Sequence, residues 1–332
     1  WKAEGRYEHE VKALDAFFKR TGYPRAPRFY IIKWLTDYIA EFGIDGYRAD
    51  TVKHIEPEVW IEFKTECDYA FSEYKKKNSD KILDDNKFYL VGEVFNYKVD
   101  NGKFYDFGDK KVNYFEPECF HSLINFEFKW HCKGLSYEAL FKMYSTVLHT
   151  ELKGFGTLNY LSSHDDFSPF DRVRKKPLET ANKLLLSPGT SQVYYGDESS
   201  RSLVISDTTG DATFRSCMNW NSIAKRKHTK AILKHWQKLG KFRANHPAIG
   251  AGVHQMITAA PYYFYRIYKK ANFKDVVVIG LDLPKGLKSI DVSNLFNDGN
   301  VLRDSYSNVF SKVENGHVSI DSEFDIVLLE KS

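Results

Sequence analysis

The sequence predicts an α/β domain of parallel βα units followed by a smaller all-β module, and three observations carry that expectation. Helix-period segments alternate with short β-rich runs as far as Pro247. Beyond Pro247 only short strands separated by turn residues remain, as in a small antiparallel sandwich. Charged and imidazole side chains gather just after the predicted strands, the end at which closed parallel βα folds build their sites. The domains are placed at 1–248 and 249–332.

Taken in order, 29–42 reads as an amphipathic helix with Ile31, Ile32, Leu35, Ile39 and Phe42 near one face and Gly43 as its stop. A short buried strand follows at 44–48. Pro57 opens the next helix near its first turn, and that helix runs to about residue 76. Residues 88–94 are almost continuously apolar, as a strand buried on both faces should be. Further strands are expected at 123–128, 157–162 and 191–195, with helices at 136–149, 177–186 and 225–242. The terminal module is expected to hold strands at 262–268, 276–281, 309–313, 317–320 and 324–329.

Composition bounds the function. With 42% hydrophobic and 28% charged residues the chain is neither disordered nor fibrous. The longest strongly apolar run, 276–283, is broken by Gly280 and Asp282 and is far short of the ~20 residues a membrane helix needs. A net charge of +4 and the short basic clusters 75–77 and 225–230 read as solvated helix faces, with no nucleic-acid module. Aromatic residues make up 16% of the chain; such rings suit flat, weakly polar ligands, though most fill cores. Cys67, Cys119, Cys132 and Cys217 have no metal-ligand spacing; a disulfide between two of them stays open, and with it the redox compartment. The sequence starts at Trp1 with no basic or apolar leader, so any signal peptide would already be gone.

Arg48, Asp50, Lys53 and His54 follow the first strand, Glu93 the second, His164, Asp165 and Asp166 the fourth, and Asp197 and Glu198 the fifth. Three carboxylates from separate strands in one pocket suit either glycoside hydrolysis or a divalent-metal site for phosphoryl or hydrolytic chemistry. Arg48 lies two residues before Asp50 on the same strand face and would keep it ionised, as a nucleophile requires. Glu93 ends the apolar run Tyr89, Leu90, Val91, where loss of water should raise its pKa toward that of a general acid.

These residues carry a family resemblance. GIDGYRADTVKH (43–54), VGEV (91–94) and LSSHDD (161–166) resemble, in order and spacing, three of the four conserved regions of the α-amylase superfamily, glycoside hydrolase family 13. PGTSQVYYGDE (188–198) resembles the stretch around that family's eighth barrel strand, and the β module its C-terminal domain C. The resemblance implies strands four to eight of a TIM (β/α)8 barrel followed by domain C. It further implies Asp50 as nucleophile, Glu93 as acid/base and Asp165 as the carboxylate that holds substrate hydroxyls and stabilises the transition state. Arg48 would support the nucleophile, His164 would bind the sugar, and Lys53 and His54 would line the leaving-group side of the cleft. The backbone carbonyl of His54 would serve a structural calcium. The implied activity is retaining cleavage of α-1,4-glucosidic bonds in starch-like α-glucans, with Asp50 and Glu93 carboxyls ~5–6 Å apart.

The family's first conserved region has no counterpart before Ile44, and five strands fall short of the eight that close a barrel. The resemblance therefore implies a partner segment, the missing N-terminal part of the same polypeptide. Secretion, a periplasmic place or the cell surface would suit a polymeric glucan. An α-glucanotransferase, an α-glucosidase and a non-catalytic glucan-binding relative stand as alternatives. Away from these motifs, His9, His121, His131, His149, His228 and His246 are read as structural or exposed and Trp34 as a core residue. Trp60, Asp197 and Glu198 are open between structural and subsite roles.

Overall fold

The computed structural model describes residues 1–117, 119–166 and 168–332, which form two compact units, Trp1–Phe95 with Lys103–Ile124, and Asn96–Gly102 with Asn125–Ser332. In the first unit α1 (Tyr7–Thr21) buries Leu14, Phe17 and Phe18 and ends at Gly22, whose φ of 71° no β-carbon-bearing residue adopts without strain. The second helix, α2 (Pro27–Phe42), is capped the same way by Gly43 and leads into β1 (Gly46–Ala49). The long α3 (Pro57–Lys77) returns the chain to β2 (Tyr89–Gly92). A hairpin of β3 (Phe104–Asp106) and β4 (Lys111–Asn113) precedes β5 (Ser122–Asn125). The β1, β2 and β5 strands pair in parallel, Arg48 opposite Val91 and Gly92 opposite Leu123, which aligns the residues that follow β1 and β2.

The second unit continues with α4 (Phe128–Gly134), α5 (Tyr137–His149), β6 (Gly156–Asn159), α6 (Pro177–Leu185) and β7 (Thr190–Ser191), the two strands again parallel. Next come α7 (Trp220–Lys225), α8 (Lys227–Asn245) and α9 (Pro247–Ala251). The rest is antiparallel: β8 (Val253–Ala259), β9 (Tyr262–Lys270), β10 (Phe273–Leu281), β11 (Gly286–Asp291), β12 (Val301–Asp304), β13 (Val309–Lys312), β14 (His317–Ser322) and β15 (Val327–Lys331). Six strands in the order β13-β12-β15-β10-β9-β8 and the β11-β14 ribbon contribute to one core, which includes Val278, Ile290, Leu302, Val318, Ile320 and Leu329.

Several sequence expectations shift, for physical reasons. The strand expected at 123–128 stops at Asn125, whose side-chain oxygen accepts the Glu127 amide and turns the chain into α4. The helix expected at 225–242 is α8, Lys227–Asn245, with a separate short α7 ending at Lys225 before extended backbone at Arg226. The β11 and β12 strands had hidden because each turns a charged residue inward: Lys288 donates to the Gly286 and Ser322 carbonyls, and fully buried Asp304 accepts the Leu328 and Tyr306 amides. Trp34 is 40% exposed rather than core. All four cysteines are free thiols, three of them buried, with burial pushing Cys119 up to about 12. Among the described residues no helix is long and apolar enough to cross a membrane.

Buried His235 fastens α8 to the β module: its Nδ1 meets the Tyr306 hydroxyl at 2.7 Å and its Nε2 the Asn182 side-chain oxygen at 3.0 Å. That pairing suits the neutral ring, and burial lowers the pKa from 6.5 to about 4. Between those values the unfolded chain binds a proton that the folded one does not, so stability is full above pH 6.5 and falls with acidification. Taken to pH 4 the loss is about 3 kcal/mol. Urea unfolding at pH 7 and pH 4.5 should show this slope, and His235→Gln should flatten it.

Candidate active site

Two parallel strands present the first unit's chemistry. The Glu93 amide donates to the Ala49 carbonyl, and the Val52 amide donates to the Glu93 carbonyl, so the turn after β1 is stitched to the end of β2. Within that turn Thr51 has φ 49°, a left-handed conformation costly for a β-branched residue and typical of a position fixed by its surroundings. Trp60 secures the turn from α3 by donating its indole N–H to the Val52 carbonyl and packing edge-on against Phe120, a structural task.

Arg48 reaches both carboxylates. Its Nη1 lies 2.6 Å from Asp50 Oδ1 and its Nη2 2.9 Å from Glu93 Oε2. Each carboxyl also acts on the other's titration through a side-chain hydrogen bond. The planar fork of one guanidinium thus holds both acids at its edge. Their environments are opposite. Burial first, then the proton shared with Asp50, raises the Glu93 pKa. The hydrogen bond from Glu93 first, and Arg48 after it, lowers that of Asp50. The Glu93 side chain is 10% exposed and that of Asp50 67%, so of the two Glu93 is the one that favours its neutral form.

Lys53 donates to the Tyr105 hydroxyl at 2.9 Å and the Phe95 carbonyl, with its ammonium about 5 Å from both rings. Tyr105, on the β3–β4 hairpin, was absent from the sequence reading; nothing in its spacing marks it. His54 is exposed in a short turn after Thr51. A calcium ion takes six to eight oxygens, and among the described residues no group of three His, Cys, Asp or Glu side chains that could hold a metal includes His54.

The second unit holds His164 and Asp165. Both side chains are about half exposed, their closest atoms 3.6 Å apart, and Asp165 accepts the Ser163 hydroxyl at 2.9 Å. The next residue differs: buried Asp166 pairs with Lys129, so Asp165 is the carboxylate open to a ligand. Asp197 is 1% exposed, accepting the Ser162 hydroxyl and the Arg174 guanidinium at 2.6 Å. Glu198 accepts the Gly196 amide within the same turn. These contacts give both a structural role.

Residues 26–222 match the family model for the α-amylase catalytic domain. The chain is 36% identical over 251 residues to the periplasmic α-amylase of Escherichia coli (strain K12), which covers 75% of this chain and 33% of that protein. It is 24% identical to a cyclomaltodextrinase of a Bacillus species over 77% of this chain and 42% of the relative. The chain thus spans a third to two fifths of the length of these curated relatives. A solved Geobacillus thermoleovorans α-amylase complexed with acarbose aligns over 92% of this chain and 64% of its own at 18% identity, with a TM-score of 0.61. An Anoxybacillus α-amylase aligns over 92% and 63% at 22% identity with a TM-score of 0.58. These two likenesses show the fold, a barrel portion of parallel βα units followed by an antiparallel β domain. With well over half of its length matched to the catalytic-domain model, the chain belongs to the α-amylase family, glycoside hydrolase family 13.

Proposed function

We propose that this chain carries the machinery of a retaining glycoside hydrolase acting on α-1,4-glucosidic bonds of starch-like α-glucans. The observation that supports it is the Arg48 fork, which holds a protonated, buried Glu93 beside an ionised, exposed Asp50. In this reading the Asp50 carboxylate attacks the anomeric carbon while Glu93 gives its proton to the departing glycosidic oxygen. Glu93, now ionised, takes a proton from the water whose oxygen displaces Asp50, so the product keeps its anomeric configuration. A sugar between them requires the carboxyls to stand ~5–5.5 Å apart. Asp165 would hold substrate hydroxyls, His164 the sugar beside it, and Lys53 and His54 the leaving-group side. The name of the Escherichia coli relative supports an exported protein.

The names of the cyclomaltodextrinase relatives favour one second reading, opening of cyclic maltodextrins. Incubation with soluble starch and with a cyclomaltodextrin, following reducing ends and product anomer, separates the two. Release of α-anomers from starch is expected. Cleavage of the cyclic substrate alone selects the second reading, and no new reducing ends from either ends both.

A further inference from the structure

A second cluster lies apart from this pair in sequence. Asp100, in the turn after the Glu93 strand, and Glu127 and His131, one helical turn apart at the start of α4, bring ligand atoms within 4.8 Å of one another. We propose that Asp100, Glu127 and His131 bind a zinc-class divalent cation. The inference stands independently of the glycosidase reading.

An ion pair between a protonated His131 and Asp100 is the simpler account, and at 3.6 Å it is a loose one. Their closest atoms, Nε2 and Oδ2, are 3.6 Å apart, too long for a hydrogen bond. Two ligands on a tetrahedral ion with bonds of ~2.0–2.1 Å stand ~3.3 Å apart, close to that value. Meanwhile Glu127 Oε2 is a buried oxygen without a protein hydrogen-bond partner, a lone pair a cation could take up.

The surroundings are those of a prepared site. His131 Nδ1 lies 2.9 Å from the hydroxyl of fully buried Tyr144, which takes a hydrogen bond from Asn125 Nδ2 at 2.8 Å. In the tautomer that carries its proton on Nδ1, that proton goes to Tyr144 and the Nε2 lone pair faces Asp100, the arrangement that orients metal-bound imidazoles. Asn125 also accepts the Glu127 amide, so one side chain steadies both α4 ligands. The Asp100 turn is fixed as well: buried Tyr97 donates to the Gly102 carbonyl at 2.5 Å, and its own carbonyl accepts the Phe126 amide. One imidazole with two carboxylates selects zinc or its neighbours over calcium, which prefers oxygen alone.

The test is calorimetric titration of the chelator-treated protein with zinc(II), alongside calcium(II), for the parent, Asp100→Asn and His131→Gln. One zinc per chain is expected for the parent, at least tenfold weaker affinity for either variant, and a zinc-dependent rise in melting temperature confined to the parent. Asp100 is exposed, so its variant should keep the parent's circular dichroism and separate loss of binding from loss of fold. Zinc uptake of unchanged stoichiometry and affinity in both variants, no uptake by the parent, or calcium bound as tightly as zinc would overturn the proposal.

Discussion

Glu93→Gln is expected to lower kcat on starch-type glucan by ~10²–10⁴-fold, the usual contribution of a positioned general acid. The amide keeps the size of the acid and its contacts with Arg48 and the Thr51 amide but has no proton to give. Asp50→Asn should be at least as severe, because no covalent intermediate can form. The parent's pH profile should be a bell. Its acid limb falls below the ordinary Asp range, where Asp50 takes up a proton, and its alkaline limb lies above the ordinary Glu range, where Glu93 loses one. Stability gives an independent check with a fixed sign. A carboxyl raised in the folded state stabilises below its unfolded pKa, and that contribution disappears as pH climbs through the folded pKa. The substituted amide does not titrate, so the variant should match or exceed the parent's melting temperature at neutral pH. Hydrolysis by Glu93→Gln at the parent's rate would remove Glu93 from the acid/base role.

Asp197→Ala should cost about 3–5 kcal/mol, because it strands the Arg174 guanidinium in a site where that side chain is only 10% exposed. The Ser162 hydroxyl loses its acceptor in the same step, three residues before Asp165. Calorimetry should register a fall in Tm of roughly 10 °C, and Asp197→Asn, which retains an acceptor for Ser162, a smaller one. A subsite role would instead raise KM and leave Tm in place.

The alternation of helical and extended segments, the change of pattern after Pro247 and the apolar run ending at Glu93 are local properties of the chain, and each is legible from it. So is the electrostatic split between Asp50 and Glu93: one follows an arginine by two residues on a strand, the other closes a strand that water does not reach. Part of what stayed hidden is of one kind. Buried Asp304 and Lys288 masked two strands, because a charged residue pointing inward breaks the polar–apolar alternation by which a strand is read.

The resemblance already pointed to Asp165; that Asp166 is closed to a ligand depended on Lys129, far away in sequence, which claims it. The zinc-class cluster draws Asp100 from a turn and Glu127 and His131 from a helix start. Only the i, i+4 spacing of the last two was visible in advance. By itself the sequence determined which segments are buried and which end of each strand carries charge, since hydrophobic period and local neighbours suffice for that. Only the tertiary structure decided which distant polar atoms meet. Hydrogen bonds and ion pairs act over ~3 Å, and loops such as the Asp100 turn are placed at that precision by packing rather than by any pattern along the chain.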